Sequence, residues 1–311
     1  MENYIDTLTN LAFDEDAYKR YLNNWLNGIK EEMYFWKNYI ETACNAKNTE
    51  CFQNDRPFKL DQYIDLPETS FLDVGSGPFS SCGLKTHKTK LHFSAVDPLA
   101  VIYKHIKIQN KITTGITPEF AVSEKLTDKY DINTYDIVHM SNALDHSFQP
   151  IIALLEMLFV CKVGGKVILS HFRNEAENES YTGFHQWNLC IENSEFIIWR
   201  PDIKYNVSKM ISEYADVFVE DNLSDLHFNV ILSKKSNPPQ ILELKRRLIF
   251  NLDEKIFEFL SNMIVNDIEN FGLPKIVKLK QFARKTPILN VIARKSYKFF
   301  RNLSRRYNKN T

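Results

Sequence analysis

The sequence predicts an α/β fold: a Rossmann-like sheet of parallel strands with a reversed last strand, covered by helices on both faces. Three observations predict it. From about residue 61, short apolar runs alternate with spacers long enough for crossover helices. An apolar strand runs into the turn Asp73-Val74-Gly75-Ser76-Gly77-Pro78, and a second strand ends in Asp97, 24 residues after Asp73. The last two strand-like runs, Asp216–Glu220 and His227–Ser233, are separated by six residues, too few for a helical crossover but enough for an antiparallel hairpin.

In chain order, residues 1–60 read as a helical segment. Tyr18, Tyr21, Leu22, Trp25, Leu26, Ile29, Met33, Trp36 and Ile40 recur at three- and four-residue steps, an amphipathic stripe. Either a helix packed on the body or a lid over a small-molecule site accounts for it. The Asn/Lys-rich run at 44–56 reads as a linker. The expected strands of the 61–235 domain are Ser70–Val74, Leu91–Val96, Glu119–Val122, Tyr135–Met140 and Lys166–His171, with a helix over Ile151–Cys161 and then the terminal hairpin. An aromatic insertion, 174–201, follows the carboxyl end of the fifth strand, the edge where open α/β sheets bind ligands. Glu192-Asn193-Ser194 reads as a turn between two strand-like arms, a hairpin. Pro238-Pro239 marks the boundary to a helical extension, 236–311.

Composition narrows the class. Hydrophobic residues make up 44% of the 311 and charged residues 25%, the usage of a globular chain with a real core. Five cysteines without C-x-x-C spacing point to reduced thiols in a cytoplasmic protein and away from cysteine zinc sites. No metal site is expected. The N-terminus has no apolar h-region and no run of 18 apolar residues occurs, so neither secretion nor a membrane span is expected. The net charge of zero hides an asymmetry: residues 275–311 carry twelve Lys/Arg and no acid, leaving 27 basic against 39 acidic residues in 1–274. Over 289–307 the basic residues face away from Leu289, Ile292, Phe299, Phe300 and Leu303 on a helical wheel. A helix packed on the domain, peripheral contact with the inner face of a membrane, and RNA binding each fit that pattern.

Glycines at the G-x-G turn let a ligand approach the main chain, and two ligand classes use the geometry: dinucleotides and S-adenosylmethionine. Ser80 replaces the third glycine of the dinucleotide pattern. At these residues, over about 65–235, the sequence resembles the class I S-adenosylmethionine-dependent methyltransferases. The resemblance implies that Asp73, Gly75 and Gly77 surround the methionyl part of the cofactor and that Asp97 binds the ribose hydroxyls. Ala121-Val122-Ser123-Glu124-Lys125-Leu126 resembles the loop beside the adenine, with Val122 where an Asp is expected and Ser123 as the substitute contact. Tyr135 to His146 resembles the fourth-strand motif, which puts Asn142 beside the cofactor, and Val163-Gly164-Gly165 resembles the turn into strand five.

For the acceptor, His185 and His146 are the candidate bases, with His171 third, because an imidazole titrates near neutral pH; a hydrogen-bonded structural His is the alternative for each. The run Phe184-His185-Gln186-Trp187-Asn188 sets polar groups beside aromatic ones, as a sugar requires, though packing onto the N-terminal helix accounts for it equally. It is similar, with Asn174–Glu179 and Asp97–Ala100, to bacterial methyltransferases of surface-polysaccharide synthesis. The expected activity is therefore methyl transfer to a hydroxyl of a small-molecule, carbohydrate or glycolipid acceptor. An RNA-associated methyltransferase and a cofactor-binding module without catalysis are the alternatives. No recognisable RNA module accompanies the tail, which disfavours nucleic acid.

Overall fold

The computed structural model describes residues 15–47, 50–53, 55–221, 226–239, 249 and 252–266. The chain divides into two compact units, Met1–Ile256 and Phe257–Thr311, and every strand belongs to the first. The basic run at 275–311 and the expected helix at 289–307 lie outside the described residues. No described helix is long and apolar enough to cross a membrane.

The first helix, α1 (Glu15–Asn45), buries Leu22, Trp25, Ile29, Met33 and Ile40 at the spacing of one helical face. Its opposite face leaves Tyr34, Phe35 and Tyr39 exposed. The main sheet comprises β1 (Glu68–Val74), β2 (Lys90–Val96), β3 (Tyr135–Ser141), β4 (Cys161–Phe172), β8 (Ala215–Asp221) and β9 (His227–Lys234), in the order β2-β1-β3-β4-β9-β8. The first four are mutually parallel. This is an α/β, Rossmann-like fold. The reversed strand, β9, is last in the chain but not at the edge: it pairs antiparallel with both β4 and β8, and β8 forms the rim.

The central strands β1 and β3 are buried along most of both faces, while β2, at the edge, is buried only at Ala95 and Val96. Phe71, Ile137, Ile168 and Ile231 of one face pack under Phe58, Leu60 and Ile64, together with Cys82. The helix α2 (Ala100–Gln109) follows β2, and α3 (Pro150–Val160) links β3 to β4. Every residue of α3 is buried, and Pro150 opens it at a position where its missing N–H costs nothing.

Two expectations need correction. Glu119–Val122 is not a strand: its one bridge is Val96 with Glu119, after which Ser123–Asp128 turns into a 3-10 helix. β2 ends at Val96 and the chain turns into α2 at Ala100, so residues 120–122 have no strand edge left to pair with. The insertion, in turn, is larger than a hairpin. After the one-turn helix α4 (Glu175–Asn178), β5 (Asn188–Glu192), β6 (Glu195–Arg200) and β7 (Ile203–Asn206) form a separate antiparallel sheet. Asn193 and Ser194, both at positive φ, make the two-residue turn between its first strands. The third strand is followed by the short helix α5 (Val207–Met210), and the last described helix is α6 (Leu252–Asn266). Cys82, Cys161 and Cys190 are buried, free thiols.

Candidate functional site

The chain leaves β1 toward β2 on one side and returns to β3 on the other, so the sheet order reverses at β1 and opens a crevice at the carboxyl edge. A cavity of about 230 Å³ occupies it. Gly75 and Gly77 both stand at φ +64°, a conformation that an L side chain resists, and a Cβ on Gly77 would lie 3.0 Å from the Trp36 ring. The turn is pinned from β2: Val96 O accepts from the N–H groups of Gly75 and Ser76 at 2.9 and 3.2 Å. Asp97 Oδ2 accepts from Gly77 N at 3.0 Å and Oδ1 from Leu99 N at 2.7 Å. Burial pushes the Asp97 carboxyl up to about 7 against those two bonds, with Glu32 and Asp73 adding to the rise. The outer wall is α1, whose Trp25, Glu32 and Trp36 face the cavity; Trp36 Nε1 donates to Glu32 Oε1 at 2.6 Å.

Beneath the turn, Asp73 and His139 are register partners on β1 and β3, so their side chains share one face. Asp73 Oδ1 lies 2.8 Å from His139 Nδ1, and Cys82 Sγ lies 3.2 Å from the same nitrogen. All three residues are buried, and Asp73 Oδ2 has no hydrogen-bond partner. Burial opposes charge on His139, but the Cys82 and Asp73 contacts override it and push the imidazole up to about 10.

A second cluster lies where the loop after β3 meets the insertion. Asp145 Oδ2 is 2.9 Å from His185 Nδ1 and 3.5 Å from His146 Nε2, and the two ring nitrogens are 3.3 Å apart. Burial works against the Asp145 carboxylate, yet His146, His185 and His171 hold it down at about 2. The His185 imidazole is raised, its bond to Asp145 outweighing its burial. His171 is buried behind Asp145, with Nδ1 4.0 Å from Oδ1 and Nε2 unpartnered, and burial pushes it down to about 3.

Asp73, Gly75, Gly77, Asp97, Ser123, Asn142 and His146 all line the cavity. His185 stands behind His146. The side chain of Asn142 is committed to Phe172 N (3.1 Å), and the Ser123 hydroxyl to Glu124 Oε2 (2.7 Å), close to Ser147 Oγ. Trp187 and Asn188 are not a sugar platform. The indole is buried under Arg200, 4.6 Å away, and the amide bonds Glu177 N and Tyr181 Oη. Phe184 is the aromatic of that run that reaches the cavity, packed 4.9 Å from Trp25. Sequence reasoning missed Asp145, the hub of the histidine cluster, and the α1 residues Glu32 and Trp36. The adjacency Asp145-His146 just after a strand was the available signal for the first.

No family profile matches the sequence, and no curated protein matches it. Among solved structures, the chain is similar to a SAM-dependent methyltransferase from Aquifex aeolicus (16% identity, 63% of this chain and 97% of that chain, TM-score 0.38). A SAM-dependent methyltransferase from Thermotoga maritima is similar at 13% identity, over 65% of this chain and 99% of that one, with a TM-score of 0.39. The CurJ carbon methyltransferase is similar at 10% identity over 57% and 51%, with a TM-score of 0.38.

Proposed function

We propose that the protein transfers a methyl group from S-adenosylmethionine to a hydroxyl, and that the acceptor is a carbohydrate or glycolipid precursor. The charge of the cavity carries the cofactor half of this reading. Glu32, Asp73, Asp97 and Glu124 line it, and among the described residues no Lys or Arg does. A dinucleotide would bring a pyrophosphate, which these acidic groups repel, Glu32 foremost, since His139 offsets the Asp73 charge and burial pushes the Asp97 and Glu124 carboxyls up. S-adenosylmethionine brings a sulfonium and an ammonium against one carboxylate, a net positive charge that they attract.

The rest of the lining suits the same ligand. The rings of Trp36 and Tyr103 offer aromatic surface that attracts a cation. Gly75 and Gly77 leave bare backbone where side chains would intrude, and Asp97 stands at the end of β2, the position that takes a ribose diol. When bound, the cofactor supplies an electrophilic methyl carbon. His146 on the cavity wall and His185 behind it are the groups for the acceptor hydroxyl, and Asp145 orients both. Phe184 and Trp25 provide apolar ring surface beside them for a sugar face.

Calorimetry on the full-length protein tests the cofactor: S-adenosylhomocysteine is expected to bind at one equivalent and NAD not at all, and the reverse result would sink the reading. For the acceptor, radiolabelled methyl from S-adenosylmethionine is expected in the glycan or glycolipid fraction of a bacterial extract, and label confined to RNA would redirect the assignment.

A further inference from the structure

We propose that Asp145, His146 and His185 form a site for a divalent first-row transition-metal ion with an open coordination position on the cavity side. Three lone-pair atoms converge there, Asp145 Oδ2, His146 Nε2 and His185 Nδ1, at separations of 2.9, 3.5 and 3.3 Å. An ion held about 2.1 Å from each of its ligands sets those ligand atoms about 3.0 Å apart at right angles and about 3.4 Å apart at tetrahedral ones. The observed edges span that interval.

Protons alone satisfy the trio less well. If both imidazoles donate to Oδ2, their two N–H dipoles face each other across 3.3 Å. If one donates, the other nitrogen's lone pair points at an acceptor. A single cation satisfies all three atoms at once. Two imidazoles and one carboxylate suit zinc, iron, cobalt or manganese and leave coordination positions free, the arrangement of catalytic sites and not of closed structural ones. The burial pattern agrees: the Asp145 side chain is 6% exposed, against 20% for His146, which lines the cavity, and 29% for His185. His171, on the far oxygen of Asp145, stands where an outer group would orient a ligating carboxylate. The other convergent trio among the described residues, Asp73, Cys82 and His139, is buried on every member.

The consequence for chemistry rests on the acceptor reading given above. An acceptor hydroxyl bound at the open position would lose its proton to solvent more readily, the O–H pair staying on oxygen for attack on the methyl carbon and the metal keeping its oxidation state; His146 and His185 then act as ligands in place of bases.

The experiment uses the full-length protein stripped with EDTA and titrated with cobalt(II) and with zinc(II), read by visible absorption and calorimetry. One equivalent is expected to bind, with d–d bands for cobalt and no near-ultraviolet thiolate band. His185→Gln, folded by circular dichroism, is expected to weaken binding by more than the roughly 10–100-fold that losing an outer-shell partner costs, with Asp145→Asn as the second variant. Zinc should raise the melting temperature of the native protein but not of His185→Gln. Absence of saturable binding, or binding unchanged in His185→Gln, overturns the proposal; loss in Cys82→Ser instead would move the ion to the inner trio and overturn it equally. S-adenosylhomocysteine titrated into the same stripped protein separates the two readings: binding of that nucleoside without metal binding defeats this proposal alone, and metal binding without it defeats the methyl-transfer reading alone.

Discussion

Gly77 concentrates the constraints of the cavity in one residue. Its φ of +64° and the Trp36 ring 3.0 Å from where a Cβ would stand leave no room for a side chain. Gly77→Ala is expected to cost about 1–2 kcal/mol of stability for the left-handed backbone, measured by urea denaturation, and to weaken S-adenosylhomocysteine binding by calorimetry. Unchanged binding in the variant would take the turn out of the ligand site. At this scale the sequence was readable where a motif was local: the G-x-G turn and Asp97 come from adjacent residues with fixed backbone roles. It was silent where a role depends on convergence. Beyond its neighbour His146, nothing near Asp145 in the chain announces that residues 171 and 185 will gather around it, because they arrive on other segments. Trp187 shows the opposite error, an indole whose neighbours suggest a ligand platform while its ring is spent on packing the insertion.

Among the elements, α1 does the most to shape the site. Its Trp25 donates to His146 O at 2.7 Å and packs on Phe148 and Phe184. Gly28, one turn on, lets the 183–184 backbone come so close that an added Cβ would fall 2.6 Å from Phe184 N. The insertion is therefore seated directly on the helix. Trp25→Ala should destabilise the protein by roughly 3–5 kcal/mol, as for other buried aromatics cut to Ala, and should lower methyl transfer more than cofactor binding, since it frees His146 and Phe184. Equal losses of both would show that Trp25 serves the cofactor instead. Apart from Glu119–Val122, the expected strands of the main sheet were legible to within a few residues because short apolar runs bounded by turns mark them. β7 escaped notice because four residues after a Pro-Asp turn carry too short an alternation to distinguish strand from loop.

For the molecule as a whole, charge is the recurring theme. The imidazole of His139, raised to about 10 in the fold against an ordinary value near 6.5, ties global stability to pH. Its contribution is complete below about pH 6.5 and lost as pH rises through about 10. The urea midpoint is expected to fall over that window, and the fall should shrink in His139→Gln; a fall of the same size in the variant assigns it to other groups. The +12 of residues 275–311 belongs to the same theme. Full-length protein is expected to remain in the supernatant with anionic vesicles at physiological salt, where the Debye length is about 8 Å. Co-sedimentation abolished by deleting 286–311 would assign that charge to a membrane. The four carboxylates of the cavity bear, finally, on turnover. Giving up its methyl converts a sulfonium into a neutral thioether, so the spent nucleoside carries one positive charge fewer than the one that entered. If the protein works as proposed, the acidic lining that attracts the charged donor would lose part of its electrostatic hold once the methyl is gone, and release of the product would be favoured by the chemistry itself.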